Sequence, residues 1–284
     1  MDYFNGSCKI STMTTGQIAS DGAGVRLTRL IGGHEVPIVD PFLMLDCFGS
    51  DKATDYIAGF PDHPHRGFET VTYMLAGRMR HKDSTGHEDV IGPGDVQWMT
   101  AGRGLIHSEM PEQSEGLMKG FQLWVNLPAA NKMTQPKYRA VSAKSIPVER
   151  IDGASIKVIA GVTDNGTEGP IKITTTNPIF FDVELGTGGS FCQNLSDGHA
   201  GFIYVIDGAV NVGTEKQYVP QGTLGVLDSG SRLSVTACDK SSRFLLIAGR
   251  KLGEPVARYG PFVMNTHKEI LGAISDFQTG GFLQ

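Results

Sequence analysis

Residues 68–79 read FETVTYMLAGRM, and residues 201–212 read GFIYVIDGAVNV. Each is a run of branched and aromatic residues that closes on a glycine, Gly77 in the first and Gly208 in the second. Val71, Tyr73 and Leu75 alternate with their neighbours as strand residues do. The echo continues downstream: IGPGDVQWM (91–99) is answered by VPQGTLGVL (219–227), and GFQLWVN (120–126) by RFLLIAG (243–249). The separation from Gly77 to Gly94 resembles that from Gly208 to Gly222. Short strands set off by Gly and Pro about every dozen residues predict an antiparallel sandwich or barrel. The repeat predicts two copies of it, an N-terminal domain over 1–140 and a C-terminal one over 141–284.

The bulk composition agrees. A chain of 284 residues can bury two cores, and 37 glycines with only 19% charged residues favour turns over long surface helices. The formal charge is −5 and no basic run occurs, which argues against a direct electrostatic grip on nucleic acid. Cys8, Cys47, Cys192 and Cys238 are far apart, unlike a zinc ribbon or a disulfide framework, and read as thiols in a reducing compartment. Residues 1–16 lack the basic-then-apolar layout of a secretory signal, and no apolar run approaches the roughly 18 residues of a spanning helix. The expectation is a cytoplasmic protein with no membrane partner.

LPAANKMTQPKYRAVSAKSIP (127–147), with three prolines, reads as an irregular connector. In THKEILGAISDFQTGG (266–281), Thr266 and Glu269 have capping-box spacing. Ile270, Leu271, Ile274 and Phe277 follow on one helical face, and Gly280–Gly281 end it, predicting one C-terminal helix.

The chemistry lies in GFPDHPHRGFET (59–70). His63 and His65 are two apart, so in a strand they share a face; Pro64 between them suits an edge strand. Glu69 has the same parity if the strand runs on regularly. GRGLIHSEMP (102–111) repeats the device with His107 and Glu109. Two such strands supply three imidazoles and a carboxylate with no thiolate, a set suited to Fe(II), Mn, Ni, Co or Cu. Parity alone leaves Glu69 and Glu109 open as the carboxylate. His81 and His87 flank a predicted turn and are expected to be solvated, while His34, His199 and His267 have no partner nearby in sequence.

FPDHPHRGFETVTYMLAGRM (60–79), GDVQWMTAGRGLIHSEMP (94–111), FQLWVNLP (121–128) and GPFVMNT (260–266) resemble the pirin family of the cupin superfamily. The resemblance implies an all-β bicupin: two face-to-face jelly-roll β-barrels with a short C-terminal helix and metal, usually iron, only in the first. It implies His63, His65, His107 and Glu109 as metal ligands, with Glu69 orienting a histidine and Arg66 and Arg103 bracing loops by ion pairing. Aligning Gly77 with Gly208 puts Asn194 and Ser196 where His63 and His65 stand, so no metal is expected in the second copy. The resemblance further implies a quercetin 2,3-dioxygenase-like enzyme. A flavonol and O2 would be substrates, Glu109 the acceptor of the substrate proton, and Phe42, Met44 and Phe48 the walls of a flat pocket. A second implied role is regulation through a protein partner, as a transcription cofactor or a modulator of a metabolic enzyme.

Overall fold

The computed structural model describes residues 6–173, 175–228 and 230–284; residues 1–5, part of the stretch read for a signal, lie outside these. Regular structure is almost all strand. In chain order come β1 (Ile10–Thr14), β2 (Gln17–Asp21), β3 (Val25–Ile31) and β4 (Phe42–Ser50). Next are β5 (Phe60–His65), β6 (Phe68–Ala76), β7 (Met79–Asp83) and β8 (Glu88–Ile91). These lead to β9 (Val96–Thr100), β10 (Leu105–Pro111), β11 (Met118–Asn126) and β12 (Lys137–Val141). The second half holds β13 (Val148–Ile151), β14 (Ala154–Ala160), β15 (Ile179–Leu185), β16 (Ser190–Asn194) and β17 (His199–Asp207). It continues with β18 (Ala209–Val212), β19 (Gln217–Pro220), β20 (Leu224–Leu227), β21 (Arg232–Ala237) and β22 (Ser242–Arg250). A hairpin of β23 (Ala257–Tyr259) and β24 (Phe262–Met264) precedes the helix α1 (His267–Thr279).

The chain divides into two compact units. The first comprises Gln17–Ile38, Phe42–Ala143 and Leu252–Gln284; the second comprises the residues up to Gly16, Val39–Pro41 and Lys144–Lys251. Each is the expected two-sheet β-barrel. In the first, a long sheet ordered β12-β9-β6-β11-β4-β3-β2 accompanies a short sheet ordered β5-β10-β7-β8. In the second the orders are β1-β20-β17-β22-β15-β14-β13 and β16-β21-β18-β19. Adding eleven to a strand number of the first unit gives its counterpart in the second (5 to 16, 10 to 21, 6 to 17), so the duplication is topological. The exceptions are the edge strands β12 and β1, which occupy the same place beside β9 and β20. Gly77 and Gly208 close the matching strands at φ of 80° and 71°, a conformation few other residues adopt.

The connector is less irregular than its prolines suggest. β12 pairs with β9 from Lys137↔Thr100 to Val141↔Val96. It is a half-exposed edge strand, defined by its backbone partner and not by an apolar face, so its sequence carries little strand signal.

The carboxyl-terminal tail belongs to the first unit. Thr266 Oγ1 accepts from the Glu269 backbone N–H, and the Glu269 carboxylate accepts from Thr266 N–H, a complete capping box. Gly280 ends the helix at φ 82°. The buried stripe is narrower than expected. Ile270 and Ala273 pack with Phe262, Met264 and Phe282, whereas Leu271 and Phe277 stay 54% and 43% exposed. No helix of the described residues is long and apolar enough to cross a membrane.

Candidate metal centre

β5 and β10 are antiparallel neighbours, and their register sets His107 directly opposite His63 and Leu105 opposite His65. The two His-bearing stretches, over forty residues apart in sequence, therefore meet on adjacent strands. As Pro64 requires, β5 is an edge strand. Donor nitrogens of His63, His65 and His107 lie within 4.8 Å of one another. The His63 ring centroid is 4.3 Å from that of His107 and 4.7 Å from that of His65.

The corner after His65 is built tightly. Gly67 takes φ 89°, and a Cβ there would overlap the Val263 carbonyl oxygen. The backbone of Arg66 bonds Pro261 and Val263, so the tail hairpin clamps the corner. Lys132 Nζ, fully buried, donates to the carbonyls of Gly67 and Val263 and to Asn126 Oδ1. Burial lowers its pKa to about 8. Arg66 pairs with Asp276 at 2.6 Å and lies over the Phe282 ring, the expected bracing role. Arg103 has no such ion pair among the described residues.

The three rings are prepared for an ion. His63 Nδ1 donates to the Pro61 carbonyl at 2.8 Å, which leaves Nε2 a bare lone pair. That Nε2 stands 3.1 Å from His65 Nε2. Adjacent ligands about 2.1 Å from an octahedral ion would be roughly 3.0 Å apart. His107 Nε2 is buried with no hydrogen-bond partner, an arrangement that costs free energy unless something accepts its lone pair. Burial, reinforced by the neighbouring histidines, holds His65 and His107 well below the usual imidazole range, so both rings are neutral. The residues fit a divalent transition metal.

Glu109 follows on β10 after a bulge between His107 and Glu109. It is buried, and its carboxylate accepts from Thr72 Oγ1 at 2.8 Å and Gln122 Nε2 at 3.1 Å. Thr72 Oγ1 also stands 2.6 Å from Gln122 Oε1. One hydroxyl hydrogen thus faces two acceptors and can serve only one at a time.

Glu69 does not share this face. Gly67 interrupts the strand, which resets parity, so Thr72 and not Glu69 points to the site. Glu69 instead accepts from Thr100 Oγ1 at 2.6 Å, its register partner on β9, and burial pushes its carboxyl pKa up. Among the described residues no hydrogen bond between Glu69 and a histidine supports the orienting role expected of it. His81, expected in solvent, is fully buried: Nε2 meets Asp83 Oδ2 at 3.1 Å, and Nδ1 meets Gln97 Nε2 at 2.8 Å and His107 Nδ1 at 3.4 Å. Of His81 and His87, the latter is the exposed one. Burial opposes ionisation of Asp83, but hydrogen bonds from Thr85, His81 and the backbone of Thr85 and His87 outweigh it and hold its pKa below the usual range. Alternation along β7, with Met79, His81 and Asp83 all buried, was the sequence signal for these residues.

A cavity of about 560 Å³ opens beside the cluster, lined by His63, His65, Thr72, Glu109 and Gln122. Its apolar wall includes Met44, Phe48, Phe60 and Trp124; Phe42, expected there, is buried outside it. Arg258 lies 4.6 Å over the Trp124 ring, and Arg29 grips Asp46 through two bonds of 2.9 and 2.7 Å.

In the second unit, Asn194 and Ser196 are exposed, and Asn194 bonds Asp164. The buried positions of β16 are Phe191 and Gln193, so alignment on the glycines slips at this strand.

Known proteins place this geometry. The Pirin family model matches residues 24–125, and the Pirin C-terminal cupin domain model matches residues 180–283. A pirin-like protein of Caulobacter vibrioides is 53% identical over 268 residues, covering 94% of this chain and 96% of its own. A Pseudomonas aeruginosa protein named "Putative quercetin 2,3-dioxygenase" is 49% identical, covering 94% of this chain and 95% of its own. The crystal structure of quercetin 2,3-dioxygenase from Acinetobacter baumannii superposes with a TM-score of 0.88 at 36% identity, covering 98% of this chain and all of that one. Two cupin-type domains, matched along nearly the whole length by relatives of this identity, make the chain a member of the pirin family.

Proposed function

We propose that the first unit is the active site of a metal-dependent dioxygenase that cleaves a flavonol such as quercetin with O2. One divalent ion, Fe(II) in this reading, is held by His63, His65, His107 and Glu109. The observation that carries the proposal is the convergence of three imidazoles, without a thiolate, on a largely apolar cavity of about 560 Å³. That volume lies within the range of small-molecule sites. The names of the relatives supply the substrate class.

When bound, the ion supplies Lewis-acid polarisation of a substrate oxygen and access to oxygen chemistry. The remaining work falls to side chains. Met44, Phe48 and Trp124 flank the flat rings and keep water from them. Glu109 takes the proton of the flavonol 3-hydroxyl onto its carboxylate. Because the Thr72 hydroxyl has a second acceptor in Gln122 Oε1, it turns there when Glu109 is protonated, so releasing Glu109 strands no buried hydrogen. The ring then opens with loss of CO. Four free cysteines suit a reducing setting, the cytoplasm in this proposal.

Oxygen uptake by Fe(II)-reconstituted protein given quercetin tests this, with His107→Ala as control. Uptake that tracks flavonol loss and disappears in the variant is the expected result. Metal binding without uptake would reject the enzyme and favour a regulator acting through protein partners.

A further inference from the structure

We infer that Asp83 and His81 form a relay that fixes the tautomer of His107, so that both are positioning residues for the metal centre. The inference rests on His63, His65 and His107 being metal ligands.

The relay follows from counting hydrogens. An ionised carboxylate only accepts, so Asp83 Oδ2, 3.1 Å from His81 Nε2, requires the His81 proton on Nε2. The relay takes that as the one proton of the His81 ring, so that Nδ1 is an acceptor. This nitrogen takes the Gln97 amide at 2.8 Å and faces His107 Nδ1 at 3.4 Å. His107 Nδ1 is thereby placed to carry its proton toward His81, a longer contact sharing the lone pair with Gln97; that leaves Nε2 bare, and Nε2 is the buried atom without a partner. Reversing His81 would set its bare Nε2 against the carboxylate. Tyr138 stacks on the His81 ring at 4.9 Å and 25°, holding its plane. A partner that fixes a ligand's tautomer and orientation typically contributes ~10–100-fold to metal affinity.

Asp83 has a second task, and its two oxygens separate the two. Oδ1 accepts from Thr85 N, Thr85 Oγ1 and His87 N and so shapes the turn; Oδ2 alone meets His81. Asp83→Asn keeps an oxygen for the turn but presents an amide hydrogen to His81. That moves the His81 proton to Nδ1, against His107 Nδ1, and drives the His107 proton onto the metal-facing nitrogen. Thr85→Val loosens the turn and leaves the relay intact.

Two readouts test the relay, with Zn(II) as a diamagnetic probe. In metal-free wild-type protein, nitrogen-15 imidazole spectra should show His81 protonated on Nε2 and His107 on Nδ1. Chelator competition should show zinc binding about 10–100-fold weaker in Asp83→Asn and close to wild type in Thr85→Val. A His81 proton on Nδ1 overturns the relay, as does equal weakening in the two variants or wild-type affinity in Asp83→Asn. Should Asp83→Asn not fold, the wild-type tautomers decide the matter. Failure of the wild type to take up zinc would instead count against the three-histidine reading, while the tautomers still report on the relay.

Discussion

The short sheets of the two units share one strand order and have opposite interiors. In the first, the buried positions of β5, β7 and β10 hold His65, His81, Asp83, His107 and Glu109 beside only Met79 and Leu105. In the second, the matching strands β16, β18 and β21 bury Phe191, Val210, Val212, Leu233, Val235 and Ala237, members of one continuous apolar cluster, beside the polar Gln193. Burying a Val, Leu or Phe side chain contributes roughly 1.5–3 kcal/mol, so that interior stabilises its barrel unaided. The first interior replaces such contacts with desolvated polar groups that cost free energy until paired. Its core is displaced to a separate cluster around Val25, Leu27, Phe48 and Met74, and its tail and Lys132 brace the corner next to the histidines. One copy keeps the scaffold for stability; the other spends stability on a site.

Four experiments break or sharpen this contrast. Glu109→Gln should retain much of the metal yet lose roughly 10²–10⁴-fold in turnover, the range for removing a general base; steady-state kinetics at matched metal content would show it. Val235→His places an imidazole opposite Phe191 and Val212. It should cost about 1–3 kcal/mol, measured by denaturant unfolding, without raising metal content. In metal-free protein, His65 and His107 stay neutral where their unfolded counterparts protonate from about pH 6.5 downward. The unfolded state then binds more protons, so stability falls as pH drops below that value toward the depressed folded ones. Hydrogen exchange should show β10 losing protection across that window while β21 keeps it. Thr266→Ala removes the α1 cap, an effect of about 1 kcal/mol confined to the tail of the first unit.

The parts legible in the sequence were those carried by local spacing. His63 and His65 sit two apart, His107 joins them from a second strand, and the glycine-closed strands repeat in order; Glu109 is not in the group whose ligand atoms lie within 4.8 Å of one another. What escaped depends on partners distant in the chain. Glu69 was misplaced because Gly67, between two residues of one apparent strand, resets which face each side chain takes. His81 looked solvated because the groups that bury it, Gln97, His107 and Tyr138, come from three other strands. β12 was hidden because an edge strand needs a backbone partner more than an apolar pattern. The tail's membership in the first unit rests on Arg66, Lys132 and the Gly67 corner, which lie more than a hundred residues before the hairpin they hold.

Metal content per chain tests the central claim most directly. Protein loaded with Fe(II), freed of excess and assayed by elemental analysis should hold one ion. His63→Ala and His107→Ala should lose it, and Asn194→Ala in the second unit should keep it. Two ions per chain, or one ion surviving the combined loss of His63 and His107, would contradict a single centre built by the paired histidines of β5 and β10.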